Sequence, residues 1–523
     1  MLDGDRKLVR AAGSMSLMTA LSRLAGYARD ALQAALLGAS NSTDAFVIAY
    51  RIPNLLRRLV AEGALTSAFV PTFARYMKRQ DDAAMWRFAA SVWWVLTAAL
   101  VAIVVVGVLA SPLLVHGLAW GYGDESGKMA LTIALNRLMW PYIFFISLAA
   151  LAAAILNALG FFALPAFTPV LLNLAIIACA LGFRNRFSDP SYAFAIGVLV
   201  GGFLQLAVQI PALMKHGFRW GLPHPPDRDG VREVGRLMGP RVFGVGITQV
   251  NLVVHSQFAT SLQAGSASFL YYANRLTELT LGIFGISLST VLLSTLSRAA
   301  AEGDRPRVLE TLRTALRLLI FVSLPATVGL IVLRAPIVHV LFERNKFTPE
   351  DTILTSTALA AYSVGLLPYA AINVLASAFY AHRDTRTPVK VGVLTFFLHL
   401  GLNVVLRAPL QHVGIALSTS ISAFVDAWLL AILLRRKLGD FLDRTVRLAA
   451  ARALGASLLM GGALLLVQPF ADPMAGGPIG VKLARLLALI LGGGGVFVAG
   501  SLLFGSAELQ LLRRVVTRRT AAP

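Results

Sequence analysis

Residues 88–115 read FAASVWWVLTAALVAIVVVGVLASPLLV, from Phe88 to Val115, without one charged side chain. A membrane-spanning helix needs about 20 apolar residues, so this stretch reads as a bilayer span. Runs of the same kind lie on both sides of it, at 8–37, 43–74, 129–158, 163–183, 191–214, 235–262, 266–296, 308–333, 351–381, 388–407, 411–434, 448–469 and 483–505. Composition agrees: the 523 residues are 57% hydrophobic and 14% charged, where a soluble domain carries roughly 25% charge. The expected fold is an all-α polytopic membrane protein of about 14 transmembrane helices.

The net charge is +21, from 47 Lys and Arg against 26 Asp and Glu. In a soluble protein such an excess points to nucleic acid; in a membrane protein it marks the cytoplasmic loops. An even number of spans puts both termini on one side. About three times as many Lys and Arg fall on that side (Arg6, Lys7, Arg10, Lys78, Arg435, Arg513) as opposite (Lys128, Arg184, Arg344, Lys346), so both ends are read as cytoplasmic. Met1 to Arg10 is basic, but the run after it is too long for a cleavable signal. The single cysteine, Cys179, excludes an internal disulfide and reads as a small core or lipid-facing residue. There is no Walker, HExxH or Cys/His metal pattern. Gly492 to Gly495 reads as close helix or lipid packing. No cofactor and no enzyme activity are expected.

The chain repeats itself. Ala49-Tyr50-Arg51-Ile52 is echoed by Ala273-Asn274-Arg275-Leu276, and Ser111-Pro112-Leu113-Leu114 by Ala335-Pro336-Ile337-Val338, both 224 positions on. Arg75 matches Arg298, and Thr168-Pro169-Val170 matches Thr387-Pro388-Val389. The offset equals six spans, so the halves share one orientation, as in parallel-repeat transporters. The organisation read from this is an N-lobe (1–220, spans 1–6), a polar linker (221–234), a C-lobe (235–440, spans 7–12) and a segment 441–523. That last segment holds two extra spans and a basic tail. Two pseudo-symmetric six-helix lobes of this kind place a substrate site between them.

Against this apolar background, charges stand inside spans. Arg23, Arg29, Asp30, Asp44, Arg51, Arg57, Arg58 and Glu62 lie in the first two, and Arg275 and Glu278 in the eighth. Each costs roughly 2.5–3.5 kcal/mol at the centre of a bilayer. Arginine suits phosphate, because its planar fork donates bidentate hydrogen bonds and stays charged when buried. An inter-lobe cavity lined by Arg23, Arg29, Arg51, Arg57 or Arg58, and Arg275 is therefore expected to hold a phosphate or diphosphate. The competing reading is local pairing alone, with Arg29–Asp30, Arg58–Glu62 and Arg275–Glu278 as pairs. On an ideal helix Asp44, Arg51, Arg58 and Glu62 share one stripe and Arg57 does not, but Pro53 kinks the segment between them. Gly26, between Arg23 and Arg29, allows either a bend in span 1 or close packing. Asn251, His255, Asn403 and Asp426, with Gln257, are either a cation site or helix–helix hydrogen bonds.

Ser22-Arg23-Leu24-Ala25-Gly26-Tyr27-Ala28-Arg29-Asp30, Thr43-Asp44-Ala45-Phe46, Arg51-Ile52-Pro53-Asn54-Leu55-Leu56-Arg57-Arg58, Ala61-Glu62-Gly63-Ala64 and Ala68-Phe69-Val70-Pro71 resemble the N-terminal signature of the MurJ/MviN lipid II flippases. Tyr271-Tyr272-Ala273-Asn274-Arg275-Leu276 resembles that family's eighth span. The resemblance covers essentially the whole chain and implies the multidrug/oligosaccharidyl-lipid/polysaccharide exporter superfamily. It implies movement of the undecaprenyl-diphosphate-linked peptidoglycan precursor, lipid II, across the bacterial inner membrane by alternating access. By the same resemblance Arg23, Arg29, Arg57 and Arg275 match cavity arginines and Asp44 a functional carboxylate. Spans 13 and 14 match a groove for the lipid tail. The expected partners are lipid II, membrane lipids, a coupling cation and the cell-wall synthesis machinery, with no nucleic acid. Asp30, Asp44, Arg58, Glu62 and Glu278 are the expected gating or charge-pairing groups. Asn274 stands where some relatives have aspartate, which leaves Glu278 as the nearer partner of Arg275. An exporter of another lipid-linked sugar, a cation-coupled drug exporter of the same fold, and a non-transporting scaffold are the alternatives. An arginine-rich cavity has the wrong sign for cationic drugs, and a scaffold has no need of arginines matched between repeats.

Overall fold

The computed structural model describes residues 2–58, 65–78, 81–123 and 127–509. Within the helices, the side chains of 2–14, 16, 240–248, 250–252 and 283–295 lie outside that description. The chain divides into two compact units, Met1–Ser268 and Phe269–Pro523. The first contains α1 (Leu2–Leu37), α2 (Asn41–Arg57), α3 (Thr66–Lys78), α4 (Asp82–Leu118), α5 (Lys128–Met139), α6 (Tyr142–Ala158), α7 (Ala163–Phe183), α8 (Ser191–Ala207), α9 (Ile210–Lys215) and α10 (Arg228–Thr260). Helix α11 (Ser266–Ala301) starts in the last residues of the first unit and continues into the second. There follow α12 (Arg305–Val332), α13 (Arg334–Phe342), α14 (Pro349–Val364), α15 (Leu366–Ala381), α16 (Arg386–Leu438), α17 (Arg444–Val467) and α18 (Ile479–Leu503).

Among the described residues nine helical segments are long and apolar enough to cross a membrane: α4, α5–α6, α7, α8–α9, α12, α14–α15, α16, α17 and α18. Helices α1, α2, α10 and α11 are not among them. Three of these four, α1, α2 and α11, hold the intramembrane charges.

The repeat is visible in the element bounds. α4, α5, α6 and α7 start 221–224 positions before α12, α14, α15 and α16. Even the caps correspond: Asp81 accepts from Ala84 N at 2.9 Å to start α4, and Asp304 accepts from Arg307 N at 3.1 Å to start α12. Each carboxylate satisfies an amide that a helix start leaves without a partner.

The breaks correspond too, and each falls inside one expected span that stays a single membrane-long segment. The 129–158 run divides at Trp140–Pro141, because proline has no N–H to continue the ladder. The 351–381 run divides at Gly365, where the amide bonds Tyr362 O instead. That leaves Ala361 O without its usual donor, and Ser420 Oγ supplies one at 2.7 Å. A Cβ at Gly365 would stand 2.6 Å from that hydroxyl oxygen, so the position takes only glycine without a shift.

Helix α16 is one 53-residue helix in name only. Gln411 has φ 50 and ψ −134, and the chain turns back there. Ser418 Oγ donates to Asn403 Oδ1 at 2.5 Å, Thr419 Oγ1 meets His399 Nε2 at 3.3 Å, and Thr395 Oγ1 donates to Asp426 Oδ2 at 3.3 Å. The sequence separations grow from 15 to 20 to 31 with distance from the turn. Only an antiparallel hairpin does that, since 31 residues of straight helix extend about 46 Å. The runs 388–407 and 411–434 are thus the two arms of that hairpin.

Small residues bring helices together. In the first unit, Gly197 lies against Ile176 and Gly201 against Leu172, which seats α8 on α7. An aromatic stack of Phe73, Phe69, Phe88 and Tyr76, with centroids 5.2, 5.5 and 4.6 Å apart, joins α3 to α4. The polar linker ends on this stack: Tyr76 Oη donates to Asp227 Oδ2 at 2.6 Å, and Asp227 Oδ1 caps α10 through Gly230 N at 2.8 Å. In the second unit, α17 packs between α12 and α18 through Gly461 on Val328 and Gly500 on Ala456. Arg317 pairs with buried Glu508 at 2.5 Å and Lys482 Nζ donates to His339 Nε2 at 2.9 Å, tying both ends of α18 to the unit. Of the glycine run, a Cβ at Gly493 would stand 3.1 Å from the Leu464 side chain, while one at Gly492, Gly494 or Gly495 would meet nothing within 4 Å. Cys179 is buried and free. Outside the spans, Asp384 is held at a pKa of about 2, chiefly by the hydrogen bond from Lys437 at 2.9 Å.

Candidate functional site

Helix α1 runs unbroken through Gly26, so close packing, not a bend, describes that glycine. A Cβ there would lie 3.7 Å from Asn173 Nδ2 of α7. Asn173 donates to Ser22 O at 3.2 Å and Pro169 O at 3.1 Å, and its Oδ1 accepts from Arg29 Nη1 at 3.1 Å. Arg29 also donates from Nε and Nη2 to Asp30 Oδ1, at 3.0 and 2.7 Å. Both charged residues are buried. Arg29–Asp30 is therefore one of the local pairs read from the sequence, with an amide partner that was not. Arg23 is half-buried on the same helix.

Asp44 lies at the start of α2, 1% exposed. Its carboxylate accepts from Lys128 Nζ at 2.7 Å, Gly265 N at 2.9 Å, Ser268 N at 2.9 Å and Ser268 Oγ at 2.6 Å. The two backbone amides belong to the first turn of α11 and the residue before it. The carboxylate thus caps α11 from another helix, where the helix dipole favours an anion. Lys128, at the start of α5, is also buried and lies 4.1 Å above the centre of the Tyr122 ring. Ser268 occupies the repeat position of Asp44, 224 residues on.

Arg51 Nη1 donates to Ser256 Oγ of α10, and Ser256 is fully buried. Arg57 Nε donates to Asn54 Oδ1 at 2.9 Å. Arg58, half-buried, is the last residue described before 65, and Glu62 lies outside the described residues. In the second unit Arg275 pairs with Glu278 at 3.3 Å and lies 5.4 Å from the Tyr271 ring centre. Asn274 Nδ2 donates to the other oxygen of Glu278 at 3.0 Å, so Asn274 shares the carboxylate that Arg275 uses.

The four residues read as a cation site fall in both units. The Asn251 side chain lies outside the described residues. His255, on α10, belongs to the first unit and is half-buried. Asn403 bonds Ser418 and His399, whereas Asp426 bonds Thr395 further along the hairpin. Among the described residues no three His, Cys, Asp or Glu side chains come together as metal ligands would.

Sequence reading missed Asn173, Lys128 and Ser268. Ser268 had a signal, the repeat offset from Asp44. Lys128 had a weaker one, a lysine on the side where the charge bias disfavours it. Asn173 had none.

Guanidinium groups on α1, α2 and α11 can bind phosphate oxygens, and Asp44 holds three helices together through hydrogen bonds that can break and re-form.

Comparison with known proteins follows this geometry. The family model described as Lipid II flippase MurJ matches residues 33–475. A probable lipid II flippase MurJ of Vibrio cholerae is 39% identical over 472 residues, 88% of this chain and 89% of the relative. A lipid II flippase MurJ of Burkholderia cenocepacia is 37% identical over 439 residues, 82% of this chain and 84% of the relative. A solved structure of lipid II flippase MurJ in an inward closed conformation superposes with TM-score 0.75 at 28% identity, covering 94% of this chain and 98% of that one. An inward-facing MATE family transporter of the MOP superfamily gives TM-score 0.69 at 17% identity, over 82% of this chain and 98% of that one, a likeness of fold.

Proposed function

The chain belongs to the lipid II flippase MurJ family, and from that premise we propose how its residues carry the cargo. The protein is a multi-pass inner-membrane flippase that moves lipid II, the diphosphate-linked peptidoglycan precursor, from the inner to the outer leaflet. The cargo leaves as it arrives, with no bond made or broken. A diphosphate head group pays several kcal/mol or more to enter hydrocarbon unsolvated. The observation that carries the reading is the set of guanidinium groups on three helices: Arg23 and Arg29 on α1, Arg51 and Arg57 on α2, and Arg275 on α11. They replace water around the diphosphate in a cavity between a lobe of 1–220 and one of 235–440, joined by 221–234.

With both termini cytoplasmic, Asp44, Lys128 and the turns at 38–40 and 261–265 fall at the outer face. We read the Asp44 cluster as the outer gate, closed when its four bonds are made. Asp30, Arg58, Glu62 and Glu278 are the remaining charge-pairing groups, exchanged as the lobes rock. The tail of the lipid stays in the bilayer against α17 and α18, within 441–523. A cation bound near Asn251, His255, Asn403 or Asp426 supplies one route for coupling, and the membrane potential another. Association with the cell-wall machinery places the exported precursor where it is used.

The test is depletion of the protein in its host, followed by measurement of which leaflet holds the precursor. Accumulation on the cytoplasmic side, reversed by wild type and not by Arg275→Ala at equal expression, is expected. Normal outer-leaflet precursor after full depletion contradicts the reading.

A further inference from the structure

We infer that Asn173 is a positioning residue for the substrate-binding arginine Arg29, and that it must be a neutral amide. The inference rests on the flippase reading above. It starts from three residues of α1. Ser22, Gly26 and Arg29 are spaced by four and then three, which places them on one face of the helix. Asn173 of α7 lies across that face: it bonds Ser22 O, covers Gly26 and accepts from Arg29 Nη1 at 3.1 Å.

A carboxamide has one oxygen and two N–H donors. The nitrogen of Asn173 faces two backbone carbonyls, Ser22 O and Pro169 O, at 3.2 and 3.1 Å. Turning the amide over would set oxygen against those carbonyl oxygens and N–H against the guanidinium. The orientation is therefore fixed, and the oxygen can only face Arg29. Asn173 is itself 7% exposed, so its bonds are shielded from competing water.

The charge balance follows. Arg29 already donates to the Asp30 carboxylate, at 2.7 and 3.0 Å. An amide adds direction without adding charge. A carboxylate at 173 would place the guanidinium between two anions, and at short range in a medium of low dielectric the extra charge repels an arriving diphosphate. Asparagine holds Arg29 in place without bringing a second negative charge to it.

The test uses the full-length protein in detergent and fluorescently labelled lipid II, with Asn173→Asp, Asn173→Ala, Arg29→Ala and the two double variants. Asn173→Asp is expected to weaken binding about tenfold or more and also to lower the thermal midpoint, since its second oxygen then faces the Ser22 and Pro169 carbonyls that the amide nitrogen now bonds. Asn173→Ala, which loses the acceptor for Arg29 together with both bonds to backbone carbonyls, is expected to weaken it several-fold. Neither is expected to add to the binding loss on the Arg29→Ala background, whereas a residue with a merely structural role adds its binding loss there undiminished. Wild-type affinity in both Asn173 variants, or full additivity with Arg29→Ala, overturns the inference while the difference between wild type and Arg29→Ala keeps the flippase reading intact. Failure of the folded wild type to bind lipid II overturns both.

Discussion

Asp44→Ala is expected to abolish precursor transport and to lower stability by about 3–5 kcal/mol, the usual cost of removing one partner from a buried ion pair. Four donors lose their acceptor at once: the Lys128 ammonium, the amides of Gly265 and Ser268, and the Ser268 hydroxyl. The ammonium is the costly one. It is buried, and the Tyr122 ring 4.1 Å away compensates only a fraction of a lost carboxylate. Asp44→Ala with Lys128→Met is expected to recover most of the stability, because replacing both members of a buried pair by apolar groups is often neutral. Transport stays lost, because no gate can then form. Thermal unfolding in detergent and complementation of a depleted host separate the two effects. A stable, active Asp44→Ala protein would remove the gate from the mechanism.

Gly414→Val is expected to prevent folding of the second unit altogether. A Cβ at Gly414 would stand 2.3 Å from Leu406 O and 2.7 Å from Leu406 C. Both are backbone atoms, so no rotamer change relieves the overlap. The two arms of α16 would have to separate at the turn. The pairs Asn403–Ser418, His399–Thr419 and Thr395–Asp426 would then be lost together, exposing polar groups to an apolar interior or to lipid. Gly392→Ala and Gly401→Ala lie in the same helix where nothing stands within 4 Å. They are expected to be neutral, or to stabilise by about 0.5–1 kcal/mol through helix propensity. Monodisperse yield on size-exclusion chromatography reads the contrast. Wild-type yield for Gly414→Val would contradict the hairpin.

Spans such as α4, α7 and α17 were legible because hydrocarbon demands long apolar runs, whereas α1, α2, α10 and α11 fall short of that measure. The α16 turn was legible for the same reason: the apolar run pauses near Arg407, four residues before Gln411. The breaks at Pro141 and Gly365 were not assigned, because a proline or glycine inside an apolar run is compatible with either a kink or a stop. Only the packing of Ser420 on Gly365 settles that case.

In the site, neighbours were legible and distant partners were not. Arg29–Asp30 and Arg275–Glu278 are one and three residues apart. Lys128 is 84 residues from Asp44 and Asn173 is 144 from Arg29, distances at which a single sequence carries no pairing signal. Lys128 read as a loop charge at the outer surface; it is buried because Asp44 and Tyr122 together replace its water. Ser268 was within reach, since the duplication already related position 44 to 268.

The most direct test of the central claim is transport by the purified protein in sealed vesicles. Fluorescent lipid II is placed in both leaflets, and a membrane-impermeant reductant bleaches whatever reaches the outside. Vesicles with wild-type protein are predicted to bleach beyond the outer-leaflet fraction, while empty vesicles and those with Arg29→Ala stop at it. If folded, inserted wild type leaves the inner pool as protected as empty vesicles do, the protein does not flip this lipid by itself and the account fails.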